Sequence, residues 1–209
     1  MANVIGIVVH DHWKPYDTMT GVRHALCNAH QLRELKALVE IEQEDWARRM
    51  QRLLRRACHA SNLARERGVP LKPGLIALFE RWYDTILADG LAFHDAQPAL
   101  VRTGGTGKRR GRPPRRVGHN LLLRLRSRKT DVLRCLTDPR VPFSNNLAER
   151  DGRMMKLRQK ISGGFRPMDG AMDFAVIRSL LSTARKQGWH ILHTLTANPD
   201  SLIADLRVV

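Results

Sequence analysis

The sequence predicts a mainly α-helical fold with one short β-strand. Residues Val4 to Val9 form a continuous apolar and largely β-branched run, which is typical of a strand that is buried on both faces. Further along the chain, apolar residues recur at three- and four-residue steps, the period of an amphipathic helix. Because a single strand cannot form a sheet, we expect its partner strands to come from another chain or from residues before Met1.

Three helical segments are predicted in the first half of the chain. The first has leucines at positions 26, 32, 35 and 38, and the second ends at the breaker Gly68-Val69-Pro70. The third runs from Leu75 to Leu87. The second segment has an apolar face and an opposite face that carries five arginines, at positions 48, 49, 52, 55 and 56. Four aromatic residues on apolar helical faces are expected in the core, namely Trp46, Phe79, Trp82 and Phe174.

Residues 103–118 are predicted to be a basic linker. They contain four glycines before Pro113, two prolines and six basic residues, a composition typical of an irregular segment. Helical periodicity then resumes. Ser144 is the expected N-cap of a helix that runs to about Lys160. A last helix is expected from Ala171 to Gln187, with Phe174, Ile177 and Ala184 among its inward residues and Gly188 as its stop.

The charge of the chain indicates a polyanionic partner, with nucleic acid as the first candidate. The 209 residues carry a formal net charge of +16, and 28 of the 36 basic residues are arginine, which binds phosphate oxygens in a bidentate way. There is no apolar run of about 18 residues that would predict a membrane span. Three cysteines without a CxxC pair indicate a reducing cytosol.

Two acidic residues stand out by their predicted positions. Asp11 lies at the end of the strand, and Glu149 lies near the start of a helix. Carboxylates at such places can bind Mg²⁺, which prefers hard oxygen ligands. Taken alone, the pattern favours structural roles: a turn-forming aspartate and a helix N-terminal acid with basic neighbours.

Four segments of the sequence resemble the catalytic region of insertion-sequence-66 family transposases. They are HDHWKPY, CNAHQLRELKAL, VPFSNNLAERDGRMMKLRQKISGGFR and IRSLLSTARKQG. The resemblance covers residues 4–40 and 118–195, and the middle of the chain more loosely. It implies a truncated RNase H-like (α+β) catalytic core in two parts, at 1–40 and at 118–195, with a helical insertion at 41–117 between them and a C-terminal tail at 196–209. It also implies DDE chemistry, in which three acidic residues hold two divalent ions, Mg²⁺ or Mn²⁺, for phosphodiester cleavage and strand transfer in DNA.

Within this resemblance, Asp11 matches the second catalytic aspartate of the family and Glu149 matches the final glutamate, and both would be metal ligands. The family's first aspartate lies on an earlier strand, whereas residues 1–10 contain no acid. We therefore expect the C-terminal part of a longer transposase that is inactive alone. The alternative is a non-catalytic DNA-binding or regulatory remnant of a transposase.

The implied partners are transposon ends and target DNA, together with a second copy or a full-length transposase. A bacterial cytoplasmic, nucleoid-associated protein is expected. Arg110 and Arg112, in an Arg-Gly-Arg-Pro segment that resembles an AT-hook core, are expected to contact the DNA backbone. A second set of DNA-binding residues is expected on the Glu149 helix: Arg150, Arg153, Lys156, Arg158 and Lys160.

Cys27 and His30 have the spacing of half a zinc site, but the sequence offers no second half. We therefore expect them to have a structural role, one helical turn apart, and no zinc is expected.

Overall fold

The computed structural model describes residues 4–100, 114–165 and 167–205. The chain divides into two compact units, Met1–Asn145 and Asn146–Val209, and each unit is described by itself.

The first unit begins with a two-stranded parallel sheet. Strand β1 covers Gly6–His10 and strand β2 covers Val22–Leu26, with a register from Gly6 opposite Val22 to His10 opposite Leu26. The expectation that β1 has no partner within this chain was therefore wrong. Strand β2 contains Arg23 and His24 among its apolar residues, so it lacks the continuous apolar run that identifies β1.

Five α-helices follow within the described residues of the first unit, and the first of them continues into a π-helical turn at Leu38–Glu42. Helix α3 begins at a proline, a residue that suits the first turn because it needs no intrahelical N–H partner there. The helices are α1 (Asn28–Ala37), α2 (Asp45–Glu66), α3 (Pro73–Asp95), α4 (Val117–Ser127) and α5 (Lys129–Thr137).

The hydrophobic core lies in this first unit. Its buried cluster runs from Ala25 in β2 to Phe143 after α5 and draws on all five helices. Trp46 and Phe79 are buried as expected, whereas Trp82 is 39% exposed and does not belong to the core. Tyr83, which follows Trp82, is fully buried, and its hydroxyl donates to the carbonyl of Leu125 at 2.9 Å. Since Trp82 and Tyr83 are adjacent on α3, only one of the two rings can face the core.

The second unit contains four helices within its described residues: α6 (Asn146–Ser162), α7 (Met168–Gln187), α8 (Ile191–Thr196) and α9 (Pro199–Ala204). Helix α6 begins two residues after the expected cap Ser144, and α7 begins one turn before the expected start at Ala171. Ile177 is 50% exposed and so does not face inward as predicted, while Ala184 is buried. Gly188 ends α7 in a left-handed conformation with φ +73°, as expected. Among the described helices of both units, none is long and apolar enough to cross a membrane.

Candidate active site

Asp11 directly follows β1, at the carboxyl end of the parallel sheet. Its carboxylate is exposed, and Oδ1 accepts a hydrogen bond from the backbone N–H of Trp13 at 3.1 Å. The intervening residue, His12, adopts a left-handed backbone conformation with φ +71°, which few residues other than glycine tolerate. The side chain of Asp11 is exposed, and among the described residues no hydrogen-bond donor meets its second carboxylate oxygen.

Behind Asp11, two histidines form a hydrogen-bonded chain between the strands. The backbone N–H of His12 donates to Nδ1 of His10 at 3.2 Å, so Nε2 of His10 carries the ring proton. Nε2 then lies 3.1 Å from Nδ1 of His24, whose Nε2 lies 3.1 Å from the carbonyl oxygen of Met19. Burial, followed by the charges of neighbouring groups such as Arg128, lowers the pKa of His10.

An arginine network fixes the turn after Asp11 to α5. Arg128 binds Asp17 at 2.7 Å through Nη1 and Asp131 at 2.7 Å through Nε. Arg134 binds the other oxygen of Asp131 at 2.9 Å and donates through Nε to the carbonyl of His24 at 2.5 Å. The hydrogen bond from Arg128 lowers the pKa of Asp17. Loop and strand are thus both tied to one helix, which limits the movement of the segment that carries Asp11.

Cys27 fixes the segment before Asn146 to the start of α1. It is fully buried, and its backbone N–H donates to the carbonyl of His10 at 2.8 Å. Its Sγ accepts the backbone N–H of Asn145 at 3.3 Å, and the N–H of Asn28 donates to the carbonyl of Phe143 at 3.0 Å. These bonds are compatible with a structural role for Cys27. His30 is half-buried one helical turn further on.

In the second unit, Glu149 lies in the first turn of α6 and is half-buried. The side chain of Arg158 lies over the ring of Phe165, with 5.8 Å between Cζ and the ring centroid. All five cations that were expected to bind DNA are exposed on this helix: Arg150, Arg153, Lys156, Arg158 and Lys160. Arg110 and Arg112, the other expected DNA contacts, lie outside the described residues.

A cleft between α6 and α7 is lined by Arg150 and by cations of α7 that were not predicted from the sequence. The cleft has a volume of about 440 Å³ and is lined by Arg150 together with Arg178, Arg185 and Lys186 of α7. Lys186 pairs with Asp151 at 2.7 Å and lowers the pKa of that carboxyl. Nε of Arg178 is buried, and no acceptor among the described residues meets it. The spacing of Arg178, Ser182 and Arg185, which places them on one helical face, is the signal that would have predicted this set.

Comparison with known proteins identifies the family. A stretch of 75 residues is 37% identical to the uncharacterized protein y4jO of Sinorhizobium fredii (strain NBRC 101917 / NGR234) and covers 34% of this chain. The matched stretch covers 23% of that relative, so the chain spans less than a quarter of its length. No solved structure matches the chain. The model of the transposase IS66 family matches residues 1–173, a range that includes both Asp11 and Glu149, and the chain therefore belongs to the transposase IS66 family.

Proposed function

We propose that this chain is part of a DDE-type DNA transposase with an RNase H-like core, in which Asp11 and Glu149 are two of the three catalytic carboxylates. The observation that carries the proposal is the family match over residues 1–173, together with the position of Asp11 at the carboxyl end of β1. Ligands and catalytic groups collect at this edge of parallel sheets.

A divalent cation fits the donor chemistry of Asp11. The carboxylate is exposed, only Oδ1 is used in the turn, and the donor is a backbone N–H, so a hard oxygen ligand is available. In this proposal Asp11 and Glu149 are each a ligand for a divalent cation, Mg²⁺ or Mn²⁺. When bound, it would activate water or a DNA 3′-hydroxyl and stabilise the charge on the phosphate.

The cations of α6 and α7 would hold the DNA. The exposed basic residues of α6 and the cleft cations Arg178 and Arg185 offer guanidinium groups that suit phosphate oxygens. Arg178 in particular has a buried Nε without an acceptor among the described residues, and a phosphate oxygen would satisfy it. In this role the second unit would orient the backbone of the substrate.

The experiment measures metal binding and DNA cleavage by the full 209-residue chain. Mn²⁺ binding is followed by electron paramagnetic resonance for the wild type, Asp11→Asn and Glu149→Gln, and cleavage of transposon-end duplexes is assayed with Mg²⁺ or Mn²⁺. We expect each substitution to weaken Mn²⁺ binding by about ten-fold or more, because a carboxylate ligand is removed. We also expect little or no cleavage by the wild-type chain, since two carboxylates hold the ions less firmly than three.

Asp45→Asn and Asp169→Asn are the matched controls, because both remove an exposed carboxylate from the first turn of a helix. They should leave Mn²⁺ affinity unchanged. Equal Mn²⁺ affinity in the wild type, Asp11→Asn and Glu149→Gln would refute the proposed ligands. Robust wild-type cleavage that both substitutions abolish would support the ligands and refute the expected inactivity of the chain alone.

A further inference from the structure

Helix α2 has an unusual distribution of charge. It contains six arginines and no lysine, and its only acidic residues, Asp45 and Glu66, are its first and last residues. Between these two ends the charged groups are therefore all guanidinium. A solvated helix face normally mixes both signs and uses lysine freely, so this face has the composition of a binding surface.

Most of these arginines have no partner within the described part of the protein. Arg49 pairs with Asp89 of α3 at 2.6 Å, and Arg65 donates to the carbonyls of Pro139 and Val141 at 3.3 and 2.8 Å. The described residues offer no ion pair or hydrogen bond to the remaining four side chains, which are exposed: Arg48, Arg52, Arg55 and Arg56.

These four arginines repel one another. Arg48 and Arg52, and again Arg52 and Arg56, are four residues apart, a spacing at which like charges are unfavourable. A bound polyanion would remove this repulsion, whereas a neutral or cationic partner would not.

The same face borders a groove between α2 and α3. The groove has a volume of about 250 Å³ and is lined by Arg49, Arg52 and Arg56 on one side and by Trp82, Thr85 and Ile86 on the other. Trp82 is 39% exposed and stands edge-on to Phe79, with ring centroids 6.1 Å apart. The exposed ring of Trp82 offers an apolar surface against which a sugar can pack. The neighbouring guanidinium groups can bind the phosphates on either side of that sugar.

We propose that the arginine groove binds the phosphate backbone of duplex DNA; the term covers the groove lined by Arg52, Arg56 and Trp82 together with the exposed Arg48 and Arg55 of the same helix. The proposal rests on the proposed function, because that function supplies DNA as the polyanion, and it adds a binding surface that the α6 cations do not provide. Arg48 and Arg56 are eight positions apart, which corresponds to about 12 Å along a helix. That distance matches about three to four phosphates of one strand at an axial spacing of roughly 3.4 Å.

The first experiment compares two triple variants of the full chain by fluorescence anisotropy with a duplex of about 30 base pairs. The groove variant combines Arg52→Gln, Arg55→Gln and Arg56→Gln. The control variant combines Arg33→Gln, Lys72→Gln and Arg126→Gln, three exposed cations outside the groove, and its net charge falls by the same amount.

We expect the groove variant to bind the duplex at least about ten-fold more weakly than the wild type. The slope of log affinity against log salt concentration should also become shallower, by about 0.9 for each phosphate that the variant no longer neutralises. The control variant should lie within about two-fold of the wild type.

Each other outcome has a defined meaning. Equally weakened binding by both triple variants, or unchanged binding by the groove variant, would overturn the groove while leaving the proposed catalytic function intact. Failure of the wild type to bind DNA at low salt would overturn both. Tighter binding of single-stranded DNA or RNA than of the duplex would overturn the choice of ligand. Reduced Mn²⁺ binding by Asp11→Asn with unchanged duplex affinity would support the catalytic proposal separately from the groove.

A second measurement uses the wild-type chain and so does not depend on the folding of a variant. Phenylglyoxal modifies accessible arginines, and peptide mass spectrometry locates the sites. We expect the duplex to protect Arg52, Arg55 and Arg56, and to leave Arg33 and Arg126 reactive. Unprotected groove arginines on a saturated complex would contradict the proposal.

Discussion

Gly118 lies against a buried polar contact, so that a single added methyl group at this position affects the stability of the chain. Glu44 and His94 are almost fully buried, and their closest oxygen and nitrogen atoms lie 3.3 Å apart. The indole N–H of Trp46 donates to the same glutamate oxygen at 2.6 Å. Gly118, in the first turn of α4, faces this pair. A Cβ built there would lie 2.8 Å from Oε1 of Glu44 and 2.8 Å from Nε2 of His94.

Gly118→Ala is therefore expected to destabilise the chain by about 1–3 kcal/mol, as overpacking of a well-packed interior does. The free energy of unfolding is measured by urea titration. Gly74→Ala is the control, because a Cβ at Gly74 meets nothing within 4 Å and alanine favours the helix. Unchanged stability of Gly118→Ala would show that α4 does not approach Glu44 this closely.

At the scale of residues, the position of Asp11 at the end of a strand could be predicted from the sequence. The hydrogen bonds of the nearby histidines could not. The change from apolar to polar residues after Val9 predicted that Asp11 follows the strand, as the structure has it. Among His10, His12 and His24, nothing in the sequence distinguishes one from another. Their hydrogen bonds depend on the pairing of β1 with β2 and on the positive φ of His12, and neither feature can be read from local composition.

At the scale of elements, the sequence predicted helices better than strands or faces. Apolar residues recur at a clear helical period in α2 and α3. Trp46 of α2 and Phe79 of α3 lie in the hydrophobic core, as expected. Strand β2 was not predicted because Arg23 and His24 interrupt its apolar pattern. In the structure, Arg23 forms an ion pair with Asp138, and His24 forms a hydrogen bond with His10. Trp82 is predicted to lie in the core because it belongs to an apolar helical face, but in the structure the adjacent Tyr83 is the buried ring. The choice between two neighbouring rings is made by tertiary packing.

Two exposed glycines of the second unit provide opposite predictions for helix stability. Gly152 lies inside α6 and Gly188 ends α7, and an added Cβ meets nothing within 4 Å at either position. Gly152→Ala should stabilise α6 by about 1 kcal/mol, because glycine is a poor helix former. Gly188→Ala should destabilise the end of α7 by about 1 kcal/mol, because φ there is +73°.

Hydrogen–deuterium exchange of the full chain, resolved to peptides of α6 and α7, measures both effects locally. Slower exchange in α6 for Gly152→Ala and faster exchange at the end of α7 for Gly188→Ala are expected. A change of the same sign in both variants would contradict the backbone argument, since the space around the two positions is equally open.

At the scale of the whole molecule, burial is distributed unequally between the two units. The hydrophobic cluster lies entirely between Ala25 and Phe143. In the described part of the second unit, only Ala184 and Thr194 are buried. Ten large apolar side chains among those same described residues are exposed: Leu147, Leu157, Ile161, Met168, Met172, Val176, Ile177, Leu192, Leu195 and Ile203. Since burial of apolar surface is the main source of folding free energy, the first unit should carry most of the stability.

Expression of residues 1–145 and 146–209 as separate fragments tests this inequality. The first fragment should unfold cooperatively on heating, because it retains the whole hydrophobic cluster. The second should show no cooperative transition and should bind the dye ANS, because a short chain with so little buried surface cannot offset the conformational entropy of folding. Circular dichroism and dye fluorescence provide the measurements. Cooperative unfolding of the 146–209 fragment without dye binding would contradict this prediction. It would require the helices of the fragment to bury an apolar core of their own, although their large apolar side chains are exposed in the structure.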